Sequence, residues 1–133
     1  MSAEAHVPIA SDADVVAARQ LGRSMASELG FGSTDLTRIA TAISEIARNI
    51  VQYAIRGEIT LRQVRDAGRE GLLVVAEDHG PGIPDLPRAL QDGFTSGGGL
   101  GLGLPGSRRL MDDFAIESEV GKGTRVTMRK WKS

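Results

Sequence analysis

Three groups of residues in this 133-residue chain are placed to do chemistry. Asp78-His79-Gly80-Pro81-Gly82 ends an apolar run and brings one carboxylate and two glycines to a single turn. Farther on, Gly99-Leu100-Gly101-Leu102-Gly103 stands just before a segment that reads as a helix. Glu45 and Asn49 form the third group, four residues apart. A carboxylate at a strand end can fix a donor-rich ring such as adenine. Glycines let backbone N–H groups approach an anion, and a helix start adds partial positive charge. The two glycine groups together suggest a nucleotide clamp. Residues four apart on a helix share a face, so Glu45 and Asn49 can reach a common ligand. At about 100° per residue they sit roughly 130° from the centre of the apolar stripe, with Arg38, Thr41 and Gln52 on their side. By itself such a pair is an ordinary solvated one.

Hydrophobic periodicity outlines the elements that must hold these groups. Residues 6–10 form a short strand. Ser11, with Asp14 three residues on, reads as a helix start in which the hydroxyl caps a free N–H and the acid favours the positive end. Val15, Ala18, Leu21, Gly22, Met25, Ala26 and Leu29 recur at helical spacing, and Gly30 is the stop. A second helix begins near Ser33 or Thr34, with the stripe Leu36, Ile39, Ala40, Ile43, Ile46, Ala47, Ile50 and Ala54. Past Gly57, Ile59 and Leu61 alternate with Thr60 and Arg62, as in a half-buried strand. Residues 66–71 suit a hairpin loop, and 72–77 a central strand.

Residues 79–103 are too rich in glycine and proline for regular structure throughout, apart from a short helix over 86–91. A loop of that length in a compact domain acts as a lid or binding loop, assigned here to residues 83–103. Residues 104–114 read as a helix that tolerates Pro105 in its first turn. Strands over 115–120 and 124–131 then flank a Gly121-Lys122-Gly123 turn. The fold class is α+β: a two-layer sandwich with a mixed, mainly antiparallel sheet and helices on one face, in a single domain spanning 1–133. No repeat, linker or low-complexity tail interrupts it.

Composition removes several classes of function. Sixteen basic and 17 acidic side chains leave no net field for nucleic acid or anionic lipid. Without cysteine there are no disulfides or thiolate metal sites, which fits a reducing cytoplasm. The first residues carry Glu4, Asp12 and Asp14 and lack a signal-peptide core, and no stretch approaches the roughly twenty apolar residues of a membrane span. Two motifs are decoys. Gly101-Leu102-Gly103-Leu104-Pro105-Gly106 satisfies the dinucleotide pattern GxGxxG, yet it follows loop residues and not a strand. Gly121-Lys122-Gly123-Thr124 lacks both the earlier glycine and the Ser/Thr after Lys of a P-loop. His6 and His79 show no metal-ligand spacing.

In order, Glu45-x-x-x-Asn49, Asp78-x-Gly80-x-Gly82, Gly99-x-Gly101-x-Gly103 and Gly121-x-Gly123-Thr124 resemble the nucleotide site of the GHKL superfamily, the gyrase-, histidine-kinase- and MutL-type ATPases with the Bergerat fold. The four boxes span residues 45–124. Ala17-Ala18-Arg19-Gln20-Leu21-Gly22-Arg23, Ser44-Glu45-Ile46-Ala47-Arg48-Asn49-Ile50 and Ala76-Glu77-Asp78-His79-Gly80-Pro81-Gly82-Ile83-Pro84-Asp85 narrow the likeness. They are similar to the bacterial anti-sigma-factor serine kinases and, among these, to the switch kinases of the stressosome. Asp92-Gly93-Phe94, Gly103-Leu104-Pro105-Gly106 and Arg109-Leu110-Met111-Asp112 agree, while His79 stands where the resemblance leads one to expect Gln.

The resemblance implies ATP and Mg²⁺ as cofactors. It makes Glu45 the catalytic residue that orients or deprotonates the acceptor hydroxyl, and Asn49 the Mg²⁺ ligand. Asp78 would accept from the exocyclic amine of adenine, and Gly80 and Gly82 would keep the pocket floor open to the base. Gly99, Gly101 and Gly103 would wrap the phosphates, with Leu104 behind them and a Thr124 hydroxyl near the base or a phosphate. The implied activity is that of a cytoplasmic serine/threonine kinase in stress signalling. It would phosphorylate STAS-domain proteins and, once released, bind and activate a PP2C-type phosphatase, with no nucleic-acid or membrane partner. The alternative is an anti-sigma factor that mainly sequesters a sigma subunit; the nucleotide motifs suit both.

Overall fold

The computed structural model describes residues 4–82 and 104–132. Strand β1 (Glu4–Ile9) runs directly into helix α1 (Asp12–Leu29). Ser11 takes the extended backbone of an N-cap, but its hydroxyl caps nothing. Instead it donates to Asp14 Oδ2 at 3.2 Å, and the same oxygen accepts the Ala10 N–H at 2.8 Å. The acid thus holds the residue before the N-cap, and no capping box forms. The helix stops at Gly30, whose φ of 96° turns the chain into α2 (Ser33–Asn49).

At the end of α2 the i→i+4 ladder loosens into a π-helical turn, Ile50–Ala54, which closes on Ile55 at φ 73°. Strands β2 (Gly57–Asp66) and β3 (Arg69–Asp78) follow. The loop expected over 66–71 contracts to Ala67 and Gly68, with φ of 53° and 80°. Two consecutive positive φ values are the signature of a tight two-residue hairpin turn, so both strands run longer than their apolar cores.

Helix α3 (Leu104–Leu110), strand β4 (Asp113–Glu119) and strand β5 (Gly123–Trp131) complete the chain. The helix expected to reach residue 114 ends four residues earlier, because the next residues are claimed by the sheet. The Asp112 N–H donates to the Arg129 carbonyl at 2.9 Å, the Trp131 N–H donates to the Asp112 carboxylate at 2.7 Å, and Phe114 pairs with Met128. The helix expected over 86–91 and the lid over 83–103 lie outside the described residues.

The sheet order is β1-β2-β3-β5-β4, and each of its four pairings is antiparallel. The parallel component that a mixed sheet allows is therefore absent among the described residues. On β3, Leu72, Val74 and Ala76 face the helices and join Ile39, Ile43 and Ile46 of α2 in one core, with Ile9, Ile59, Leu61 and Met128 from neighbouring strands. Each fully buried Ile or Leu contributes about 1.5–3 kcal/mol, so this stripe-on-sheet contact holds α2 against β3. The α+β sandwich fold class stands.

One buried cation ties α3 to this core. Lys130 is 8% exposed, and its Nζ donates to the Leu110 carbonyl at 3.1 Å and to Asp112 Oδ1 at 3.3 Å, with Asp35 Oδ1 of α2 at 3.9 Å. Replacing Lys130 with Met keeps the volume but removes the donor to the Leu110 carbonyl and to Asp112 Oδ1, while Asp35 keeps Arg38 Nη1 at 3.2 Å. Because Asp112 is partly open to water, the expected loss is about 1–3 kcal/mol, below the cost of breaking a fully buried pair. A lower urea midpoint with unchanged slope checks this.

Candidate functional site

Asn49 is placed by the last turn of α2, Asp78 by the last residue of β3, and Thr124 by the start of β5. Because β3 and β5 pair with Asp78 opposite Thr124, the carboxylate and the hydroxyl share the face of the sheet that meets α2. Asn49, Asp78, Gly82, Leu104 and Thr124 line one cleft together with Ile46, Ile50, Tyr53, Ala54, Ala76, Pro81 and Val126. Its empty space, counting the part open to solvent, is about 500 Å³. Mainly apolar walls with a few convergent polar groups are what a planar, partly polar small molecule requires.

Asp78 is prepared as an acceptor. The Gly80 N–H donates to its Oδ1 at 2.9 Å, which fixes the carboxylate in a local turn. Its other oxygen has no protein partner among the described residues and can take a donor from a ligand. The Thr124 hydroxyl lies 3.0 Å from that of Ser118, which also donates to the Gly123 carbonyl at 3.3 Å.

Gly82 lines the cleft, and both glycines of this turn also permit close backbone packing. A Cβ at Gly80 would fall 2.7 Å from the Ala54 Cβ, and one at Gly82 (φ 78°) would collide with the Glu119 carbonyl. Both let the turn after β3 press against protein, the π-helical turn on one side and the β4–β5 turn on the other. The Gly121 N–H, donating to the Pro81 carbonyl at 2.9 Å, secures the second contact. Gly80 itself backs the cleft and does not line it.

Glu45 lies elsewhere. Asn49 and Asp78 come together in the described cleft, and Glu45 does not line it. Glu45 lines the neighbouring groove between α1 and α2 with Arg19, Gln20, Arg23, Thr37, Ala40, Thr41, Ser44 and Arg48. Four residues advance about 6 Å along a helix and turn it by about 40°, so the two side chains are offset along α2. Its Oε1 pairs with Arg48 Nη1 at 3.1 Å. Gly99, Gly101 and Gly103 fall outside the described residues.

Sequence reasoning missed Tyr53. In an i→i+5 turn residues five apart stack, so Ala54 lies over Asn49 with Tyr53 beside it, and both reach the cleft. Partial burial raises the Tyr53 phenol above its ordinary pKa, so it stays neutral at physiological pH. The signal was present: the four-residue step from Glu45 to Asn49, repeated once, lands on Tyr53. Gln52, expected on the side of Asn49, is exposed and lines no part of the cleft.

The site's metal chemistry can be tested on its donors. No group of three or more His, Cys, Asp or Glu side chains that could hold a metal occurs among the described residues. Asn49 offers an amide oxygen in the cleft. Such a site fits a hard cation that brings most of its oxygens from phosphate and water, as Mg²⁺ does, and does not fit a metal needing a protein cage. No described helix is long and apolar enough to cross a membrane.

Residues 9–130 match the model of the histidine kinase-like ATPase domain. Serine/threonine-protein kinase RsbT of Bacillus subtilis is 54% identical over 131 residues, covering 98% of each chain. An anti-sigma F factor of Clostridium kluyveri is 34% identical over 101 residues, 72% of this chain and 70% of that one. Among solved structures, a Mycobacterium tuberculosis protein with RsbU and RsbW domains superposes with a TM-score of 0.64 at 21% identity; 98% of this chain is covered, against 33% of the larger one. The mycobacterial sensor histidine kinase MprB follows at 0.59 and 18% identity, over 96% of this chain and 98% of its own. The two structural likenesses speak for the fold alone.

Proposed function

The chain belongs to the histidine kinase-like ATPase family, and on that premise we propose that it is an ATP- and Mg²⁺-dependent serine/threonine protein kinase of a bacterial partner-switching module. The observation that carries the reading is 54% identity to RsbT along nearly the whole of both chains, joined to a cleft that sets Asn49 and Asp78 around one small-molecule space. Asp78 accepts from the adenine amine through the oxygen that Gly80 leaves open, which selects adenine over guanine. Ile46, Ile50, Val126 and Tyr53 enclose the ring. Asn49 supplies an amide oxygen to Mg²⁺, which when bound neutralises phosphate charge. Glu45, one turn earlier on α2, orients or deprotonates the acceptor hydroxyl, which comes from another protein.

The acceptors are STAS-domain proteins, and the released kinase binds and activates a PP2C-type phosphatase in the cytoplasm, within the stress response. Incubation with labelled ATP, Mg²⁺ and a purified STAS-domain protein should label a Ser or Thr of that protein. Absence of label across a panel of such proteins, with ATP bound, would overturn the kinase reading. The relatives named anti-sigma F factor favour a second reading, in which the chain mainly sequesters a sigma subunit. Pull-down with this chain that retains sigma and no STAS protein would decide for it.

A further inference from the structure

We infer that Arg48 is a positioning residue for Glu45 and the docking point for a carboxylate that flanks the phosphorylated Ser or Thr of the acceptor protein. The inference rests on the kinase reading above and names the acceptor's local chemistry. Its basis is the groove between α1 and α2. Arg19, Arg23 and Arg48 line it against a single acid, Glu45, so three positive charges meet one negative, in a chain whose net charge is −1. Arg19 and Arg23 have no hydrogen-bond or ion-pair partner among the described residues. The Ser44 hydroxyl is already spent on the Ala40 carbonyl at 2.9 Å. The open capacity of the groove is therefore cationic, and it suits an anionic segment.

Glu45 presents to this groove and not to the Asn49 cleft. An acceptor hydroxyl that is to meet the Glu45 carboxylate must therefore arrive over the three arginines. In the structure Arg48 Nη1 holds Glu45 Oε1 at 3.1 Å, with the two side chains 50% and 33% exposed. A pair so open to water contributes little stability and exchanges partners readily. A carboxylate on the arriving segment competes for Arg48, keeps the guanidinium satisfied, and frees the Glu45 oxygen for the hydroxyl. A neutral segment makes no such exchange. The arginine thereby favours an acceptor with an acid beside its phosphorylated residue.

The test is a double-mutant cycle on the full chain, with Arg48→Gln on one side. On the other is a STAS-domain acceptor whose Asp or Glu flanking the phosphorylated residue is changed to the amide. Arg48→Gln should raise the KM for the unaltered acceptor by up to about five-fold, the range an exposed ion pair commands, and leave the Kd for ATP unchanged. Arg48→Lys should recover part of the loss, which also guards against misfolding of the Gln variant. Neutralising the acceptor should cost the wild-type kinase a similar factor and cost Arg48→Gln nothing further. Additive losses, an unchanged KM, or a phosphorylated residue without a flanking acid would overturn the inference while transfer by the wild-type chain keeps the kinase reading intact. No transfer by the wild-type chain would remove both.

Discussion

Asp78→Asn should weaken ATP binding by about a hundred-fold while leaving the fold intact. The substitution preserves shape, and the Asn oxygen can still accept the Gly80 N–H that holds the turn. What changes is the outward group, which becomes an amide that can present two N–H donors to an adenine amine that also donates. The loss combines a hydrogen bond to a charged acceptor, about 1.5–3 kcal/mol, with a buried mismatch. A guanine carbonyl at the same place would find a donor instead. The ratio of ATP to GTP affinity should therefore collapse along with ATP affinity itself. Calorimetric titration with each nucleotide in Mg²⁺ measures both quantities. Unchanged ATP affinity in the Asn variant would show that Asp78 does not hold the base.

The parts of the fold that could be read from the chain are those in which one periodicity dominates. The α2 stripe from Leu36 to Ile50 has only one way to bury itself against a sheet, and β3, with Leu72, Val74 and Ala76 on one face, supplies the partner. Element ends were less legible because their causes are not local. Residues 111–114 continue an acceptable helical pattern, but Arg129, Lys130 and Trp131, fifteen or more positions later, pull them into the sheet. The π-helical turn escaped notice for the opposite reason. Ile50 and Ala54 fit an α-helical stripe perfectly well, so periodicity does not distinguish a π-helical turn from an α-helical one.

The candidate site divides in the same manner. Residue types and spacing point to Asn49, Asp78 and Thr124, which line one cleft, because each sits at the end of a well-patterned element. Spacing could not say that Glu45 would present to a different groove. That depends on where the edge of α1 crosses α2, and pairwise helix packing is not written in either helix alone. The glycines at 80 and 82 suggest freedom to approach a ligand; the close approach the structure shows is to Ala54 and to the Glu119 carbonyl, with Gly82 also lining the cleft. A glycine pattern identifies a crowded backbone without saying what crowds it.

The separation of Glu45 from the cleft gives the second large prediction its form. Glu45→Ala should lower phosphotransfer to a protein acceptor by about 10²–10⁴-fold, the range for loss of a general base, with ATP affinity unchanged. The cleft that holds Asn49 and Asp78 has no wall contributed by Glu45, so truncation there leaves its lining intact. Stability should move little. The broken pair with Arg48 is exposed and contributes at most about 1 kcal/mol, and Ala is the better helix former by a few tenths of that. A single-turnover assay separates the chemical step from binding, and a fluorescent ATP analogue reports affinity on the same preparation. Asn49→Ala, by contrast, should impair Mg²⁺-dependent nucleotide binding and transfer together, since its amide lies inside the cleft. If both variants lost binding to the same extent, the two grooves would be one site, and Glu45 would have to swing through its Arg48 contact to reach the nucleotide. If Glu45→Ala transferred phosphate as fast as the unaltered chain, the base would have to be sought among groups the acceptor brings with it.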